Sequence, residues 1–263
     1  MTAEHRPRKR FGQHFLHDRA IIERIVRAID PAPEDHLVEI GPGLGAITLP
    51  LLERVRELHA VELDRDVIPL LKEKTVDAPG RLTIHPADAL KFDFAALADA
   101  IGAPLRLAGN LPYNVSSPLL FHFLSFRHVI RDMHFMLQKE VVDRMAAAPG
   151  SKTYGRLSVM LAADCRIEPL FTIRPGAFNP PPKVDSAVVR LVVLDEPPFP
   201  LPDRALFARL VTAAFAQRRK TLRNSIRQFL DADAIAACGI DPQARAETLS
   251  AAQFGRLAVA ASD

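Results

Sequence analysis

Cysteine is scarce in this chain. Two of 263 residues, Cys165 and Cys238, lie far apart and neither has a C-x-x-C partner. That spacing excludes a disulfide framework and a zinc ribbon, and a reducing, cytoplasmic setting is the simplest expectation. No continuous apolar run approaches the ~20 residues of a membrane span, and the first residues lack the apolar core of a secretory leader. Neither membrane insertion nor secretion is expected. Internal repeats and low-complexity tracts are also missing, so no array architecture is implied. What is present is a 48% hydrophobic composition, enough to fill one large domain, or one domain with a small appendage.

Charge is modest in total, with a net of +3 and a pI near 9.0, so its distribution carries the information. One basic cluster is Arg6, Arg8, Lys9 and Arg10; the other is Arg218, Arg219, Lys220, Arg223 and Arg227. From charge alone, a solvated tail and a solvated helix face explain them as well as nucleic-acid contact does.

From about residue 20 to 194, short β-rich runs alternate with amphipathic stretches, the pattern of a parallel sheet flanked by helices. The fold class is therefore α/β, a Rossmann-like doubly wound sheet. Strands are expected at Leu37 to Ile40, Leu58 to Leu63, Leu82 to His85, Leu105 to Ala108, His134 to Leu137 and Ala187 to Leu194. Helices are expected at Ala20 to Ile29, Ala46 to Arg54, Asp66 to Lys74 and Ser117 to Phe126, with Asp66 and Ser117 as candidate N-caps. Residues 195 to 202 hold four prolines and read as a linker. The expected division is thus an α/β domain over 1–196 and a small all-helical domain over 203–263, where apolar residues recur at helical spacing.

The first strand runs into Gly41-Pro42-Gly43-Leu44-Gly45-Ala46. Glycines at such a turn let backbone approach a ligand, and a following helix presents unpaired N–H groups. Gly41, Gly43 and Ala46 also satisfy G-x-G-x-x-G/A, and Glu62 follows about 20 residues on, where a ribose-binding acid belongs. The loop alone leaves NAD and S-adenosylmethionine both open, and a ligand-free turn remains a third reading. Asp88 ends the third strand at the sheet's ligand-binding edge, although a cap role would place an acid there equally well.

Gly109-Asn110-Leu111-Pro112-Tyr113-Asn114 at the end of the fourth strand separates the cofactors. An adenine amine is a poor nucleophile because its lone pair is delocalised into the ring. The Asn110 side-chain oxygen and the Leu111 carbonyl can accept both amine hydrogens, and Pro112 restricts Leu111 to extended geometry. Tyr113 can stack on the purine face. Catalysis would rest on alignment and polarisation, with water taking the proton after transfer. Hydride transfer has no use for this motif. Phe178, ahead of the stiff Pro180-Pro181-Pro182 run, is the candidate opposing wall for a flipped base, with core packing as the alternative.

Eight runs together resemble one family, the ribosomal RNA adenine N6,N6-dimethyltransferases. They are Phe11-Gly-Gln-His-Phe-Leu16, Val38-Glu-Ile-Gly-Pro-Gly-Leu-Gly45, Glu62-Leu-Asp64, Asn110-Leu-Pro-Tyr113, Phe135-Met-Leu-Gln-Lys-Glu140, Tyr154-Gly-Arg-Leu-Ser158, Phe178-Asn-Pro-Pro-Pro-Lys-Val-Asp-Ser186 and Gln217-Arg-Arg-Lys-Thr-Leu-Arg-Asn224. They span nearly the whole chain in order, and the similarity is to the bacterial small-subunit members. The resemblance implies dimethylation of two adjacent adenosines in the 3′-terminal hairpin of 16S ribosomal RNA, late in small-subunit assembly, with S-adenosylmethionine as methyl donor. It implies that the Gly41 and Gly43 loop and Glu62 hold the cofactor's methionine part and ribose. Asp88 would bind its adenine amine, and His14 and Leu16 would close over it. It further implies that Asn110 touches cofactor and target, that Leu111, Tyr113 and Phe178 handle the base, and that Arg218, Arg219, Lys220 and Arg223 contact RNA phosphates. His14 departs from the family's usual asparagine. A monomer is expected, since the RNA must reach an open cleft.

Two other functions share some of these features. A large-subunit adenine methyltransferase of the antibiotic-resistance type has the loop and the N-L-P-Y-type motif but not the Phe178 to Ser186 and Gln217 to Asn224 runs. A non-catalytic assembly factor would have no need of intact Gly41, Glu62 and Asn110.

Overall fold

The computed structural model describes residues 14–217 and 219–262. The N-terminal basic cluster and Arg218 lie outside the described residues. The chain divides into two compact units, Met1–Val142 with Glu168–Val193, and Asp143–Ile167 with Leu194–Asp263.

The first unit is built on a seven-stranded sheet. In chain order its strands are β2 (Leu37–Ile40), β3 (Glu57–Glu62), β4 (Arg81–Pro86), β5 (Leu105–Asn110), β6 (Ile130–Gln138), β7 (Cys165–Ile173) and β9 (Ser186–Val193). Across the sheet the order is β4-β3-β2-β5-β6-β9-β7. The five strands from β4 to β6 are parallel, while β9 runs antiparallel to β6, with Gln138 opposite Ser186. Helices on both faces explain why β2 is buried at every position and reads as an apolar run rather than an alternation. They include α1 (Arg19–Ile29), α2 (Thr48–Leu52), α3 (Val67–Lys74), α4 (Phe94–Ile101) and α5 (Ser116–Ser125). A separate two-stranded ribbon pairs β1 (Phe15–Leu16) with β8 (Phe178–Asn179), setting Leu16 opposite Phe178.

All six expected strands are present within a few residues. The helix after the glycine loop is shorter than expected, covering only Thr48–Leu52, because residues 43–47 stay in turns. Of the two expected caps, Asp66 occupies the N-cap position of α3 without a side-chain cap bond. Ser117 lies inside α5, whose N-cap position is Val115. Asp18 and Asp93 do cap, accepting from Ile21 N at 3.2 Å and Ala96 N at 3.0 Å.

The second unit is helical and contains α7 (Arg156–Ala162), α8 (Arg204–Phe215), α9 (Leu222–Ser225), α10 (Ala232–Ala237) and α11 (Ala251–Ala260). Its core gathers Tyr154, Val159, Phe207, Leu210, Ile226, Phe254 and Leu257. The division therefore differs from the expected single cut, because residues 143–167 belong with the C-terminal helices. Burial of Tyr154 and Val159 against α8 and α11 drives this, and the Tyr154 hydroxyl donates to the Leu249 carbonyl at 2.7 Å. Nor is the proline-rich segment a free tether. Phe199 packs so closely on α11 that a Cβ at Gly255 would lie 2.4 Å from its ring.

Candidate functional site

The carboxyl ends of β2, β3, β4 and β5 converge on one cleft of ≈ 1830 Å³. Single small-molecule pockets usually measure about 300–1,000 Å³, so this cleft has room for a cofactor and a second group. Its walls include His14, Leu16, Gly41, Gly43, Glu62, Asp88, Asn110, Leu111 and Tyr113. Residues scattered over a hundred positions of sequence meet there because parallel strands all deliver their last residues to the same edge.

The glycine loop is held from below and opens above. Gly41 N donates to the Val61 carbonyl at 2.9 Å, and Gly45 N to that of Pro42 at 3.0 Å. Gly43 has φ of +55°, and a Cβ there would lie 3.1 Å from the Phe15 ring, so the close approach of β1 requires glycine. The Glu62 carboxylate reaches this loop, accepting from Gly43 N at 3.2 Å and from Asp64 N at 2.8 Å. Burial raises the Glu62 pKa, and those amide bonds oppose the rise.

Asn110 sits at the end of β5, where Gly109 lets that strand press against β2. Its Nδ2 donates to the His14 carbonyl at 3.0 Å, so Oδ1 is the end left to accept. Leu111 N donates to the Met136 carbonyl at 3.1 Å, which pins the loop to β6. The Tyr113 ring lies against His14, with centroids 5.6 Å apart and planes 26° apart, and its hydroxyl bonds to Ser186 Oγ at 2.5 Å. His14 is held in turn by Nδ1 against the Pro180 carbonyl at 2.8 Å. Asp88 accepts from Leu90 N at 3.0 Å through Oδ1, a turn-capping bond made while it lines the cleft.

One expected site residue is placed elsewhere. Phe178 is 2% exposed and packs in the core with Leu16, Ile173 and Val188. The β1–β8 pairing turns it inward, so the described structure gives no support to Phe178 as the wall opposite Tyr113. Arg219, Lys220 and Arg223 are exposed in the helical unit and do not line this cleft.

Sequence reasoning missed Glu39. It is 2% exposed, lines the cleft and accepts from Thr48 Oγ1 at 2.6 Å, tying the end of β2 to α2 across the glycine loop. Burial, with Glu62 adding to it, pushes its carboxyl up to about 7. An acid inside an otherwise apolar central strand was the available signal.

A glycine loop after β2, an acid ending β3 on one side of it and an asparagine ending β5 on the other, all in one cleft of a mostly parallel sheet, define an α/β methyltransferase acting on an amine nitrogen. The chain belongs to the ribosomal RNA adenine dimethylase family, whose model matches residues 4–262. A protein of Pseudomonas putida named ribosomal RNA small subunit methyltransferase A is 55% identical over 258 residues, covering 97% of this chain and 95% of its own length. Among solved structures, a dimethyladenosine transferase from Plasmodium falciparum is 25% identical with a TM-score of 0.79, covering 93% of this chain and 96% of its own. The 23S ribosomal RNA methyltransferase ErmE, 24% identical with a TM-score of 0.71, covers 95% of this chain and 100% of its own and shares the fold.

Proposed function

We propose that this enzyme dimethylates N6 of two adjacent adenosines in the 3′-terminal hairpin of 16S ribosomal RNA, within the small subunit late in assembly, as a cytoplasmic monomer. The observation that carries this reading is the meeting of Asn110, Tyr113, Glu62 and the glycine loop in a cleft large enough for cofactor and base. The small subunit as substrate is supported by the name of the Pseudomonas putida relative.

The residues present suit S-adenosylmethionine. Gly41 and Gly43 line the cleft with bare backbone, Glu62 offers a carboxylate for ribose hydroxyls, and Asp88 offers one for an adenine amine. When bound, that cofactor supplies an electrophilic methyl carbon on a sulfonium. Asn110 Oδ1 and the Leu111 carbonyl accept the two N6 hydrogens, which aims the nitrogen lone pair at that carbon. With that donor in place the amine would take the methyl group as its bond to sulfur breaks, and water would take the proton the nitrogen then releases. Tyr113 stacks on the base, and His14 with Leu16 closes the cofactor side. Catalysis through alignment fits a cleft in which Glu62 and Asp88 serve as binding groups. In the helical unit, Arg219, Lys220 and Arg223 engage RNA phosphates away from the reacting atoms.

The test is transfer of labelled methyl groups to undermethylated small subunits, large subunits and naked RNA, with nuclease digestion and mass spectrometry of the product. N6,N6-dimethyladenosine from small subunits alone is expected. Label on large-subunit RNA would overturn the substrate, and tight subunit binding without transfer would leave an assembly factor.

A further inference from the structure

We propose that Ser186 is a positioning residue for methyl transfer, a clamp that holds the far end of the Tyr113 ring in place. The inference rests on the reading of Tyr113 as the platform for the target base.

Tyr113 lies in a loop, and a loop ring attached only at Cβ is free to swing about its first side-chain torsion. A stacking platform that turns presents its face to the base only part of the time. In this structure the far end of the ring is held as well, because the hydroxyl bonds to Ser186 Oγ at 2.5 Å. Ser186 is itself immobile. It is fully buried, it opens β9, and it is paired opposite Gln138 in a run of seven paired residues between β6 and β9. The neighbouring residue is tied too, with the Asp185 carbonyl accepting from Lys139 N at 2.9 Å. The loop is therefore anchored twice, through its backbone at Leu111 to β6 and through the tip of Tyr113 to β9.

A purely architectural bond would not need the hydroxyl of a cleft-lining aromatic. Tyr113 is partly buried and lines the cleft, and one face of its ring is against His14. Fixing the first torsion costs conformational freedom, which is recovered if the ring must already be in position when the base arrives. Phenylalanine would stack as well as tyrosine, so the hydroxyl is the part of this side chain that stacking leaves unexplained. Burial raises the Tyr113 pKa and keeps the hydroxyl protonated, able to donate to or accept from Ser186.

Four variants of the full chain test this: Ser186→Ala, Ser186→Thr, Tyr113→Phe and the double variant Ser186→Ala with Tyr113→Phe. Single-turnover methyl transfer to undermethylated small subunits is measured alongside cofactor affinity and thermal midpoint. Loss of one hydrogen bond should slow transfer about 2- to 10-fold in Ser186→Ala and in Tyr113→Phe alike. Ser186→Thr should restore the rate, and cofactor affinity should not move. The double variant should be no slower than either single one, since both remove the same bond. Effects that multiply in the double variant, or a Ser186→Ala rate equal to wild type, would overturn the clamp. A fifth variant, Tyr113→Ala, separates the two levels. If it transfers at the wild-type rate, the base-platform reading has failed. If it collapses while Ser186→Ala is unaffected, only the clamp has failed.

Discussion

Glu62 shows how one carboxylate serves architecture and ligand together. Its two oxygens accept from Gly43 N and Asp64 N, which orients them at the mouth of the glycine loop. In Glu62→Gln one end becomes an NH2 group facing an N–H, so one bond is lost along with the charge that strengthens both. A charge-assisted bond contributes about 1.5–3 kcal/mol, so cofactor affinity should weaken by roughly 10- to 150-fold. Calorimetric titration checks this, and an unchanged Kd would remove Glu62 from the cofactor site. His134 is the opposite case, a buried ring whose two nitrogens have no hydrogen-bond partner among the described residues. Burial pushes its pKa down to about 4, against about 6.5 when unfolded. Between those values the unfolded chain binds a proton that the folded one does not, so stability falls as pH drops from 6.5 towards 4, by up to about 3 kcal/mol. His134→Leu should remove that part of the acid sensitivity, read as the difference in urea midpoints between pH 7.5 and pH 4.5. Equal pH slopes for variant and parent would count against it. That Asn110 and Tyr113 line one cleft was legible because they lie at and just after the end of one strand, at the sheet's ligand-binding edge. Phe178 was not, because the direction of a side chain depends on a two-residue ribbon that no periodicity announces.

Elements were legible where burial leaves a pattern. Strands β2, β3, β5 and β9 carry apolar runs because helices or neighbouring strands cover them. Strand β7 escaped notice, since Pro169 interrupts it and most of its residues remain at least partly exposed at the sheet edge. Gly109 carried a signal that went unused, a glycine inside a strand marking close backbone approach. Here that approach is between β5 and β2, and a Cβ at Gly109 would lie 2.4 Å from the Ile40 carbonyl oxygen. The obstacle is backbone, which cannot swing aside as a side chain can. Gly109→Ala should therefore cost about 1–3 kcal/mol or more, and it should also displace Asn110 by levering the end of β5 away from the glycine loop. A lower urea midpoint together with a loss of methyl transfer larger than the unfolded fraction explains is the expected pair of results. A variant as stable and active as the parent would show that the two strands can separate without consequence for the site.

At the scale of the molecule, composition found the boundary near residue 194 but not those near 142 and 167, because proline marks the last crossing while the other two fall inside α6 (Lys139–Met145) and β7. Charge is also a whole-molecule property here. A net of +3 is too small to attract RNA by itself, so attraction must come from where the cations stand. In the helical unit Arg219, Lys220 and Arg223 are all exposed, and no hydrophobic packing explains their clustering at the start of α9. If Lys220 and Arg223 each neutralise one phosphate, each binding event releases condensed counterions, and the slope of log affinity against log salt records their number. Replacing both with alanine should weaken subunit binding and flatten that slope by about 0.7–0.9 for each phosphate no longer neutralised. Cofactor affinity should stay where it was, because neither residue lines the cleft. Filter binding of the parent and the double variant across a salt series separates this from a folding defect, which would lower affinity equally at every salt concentration. An unchanged slope would return these cations to the solvated surface that charge alone allowed.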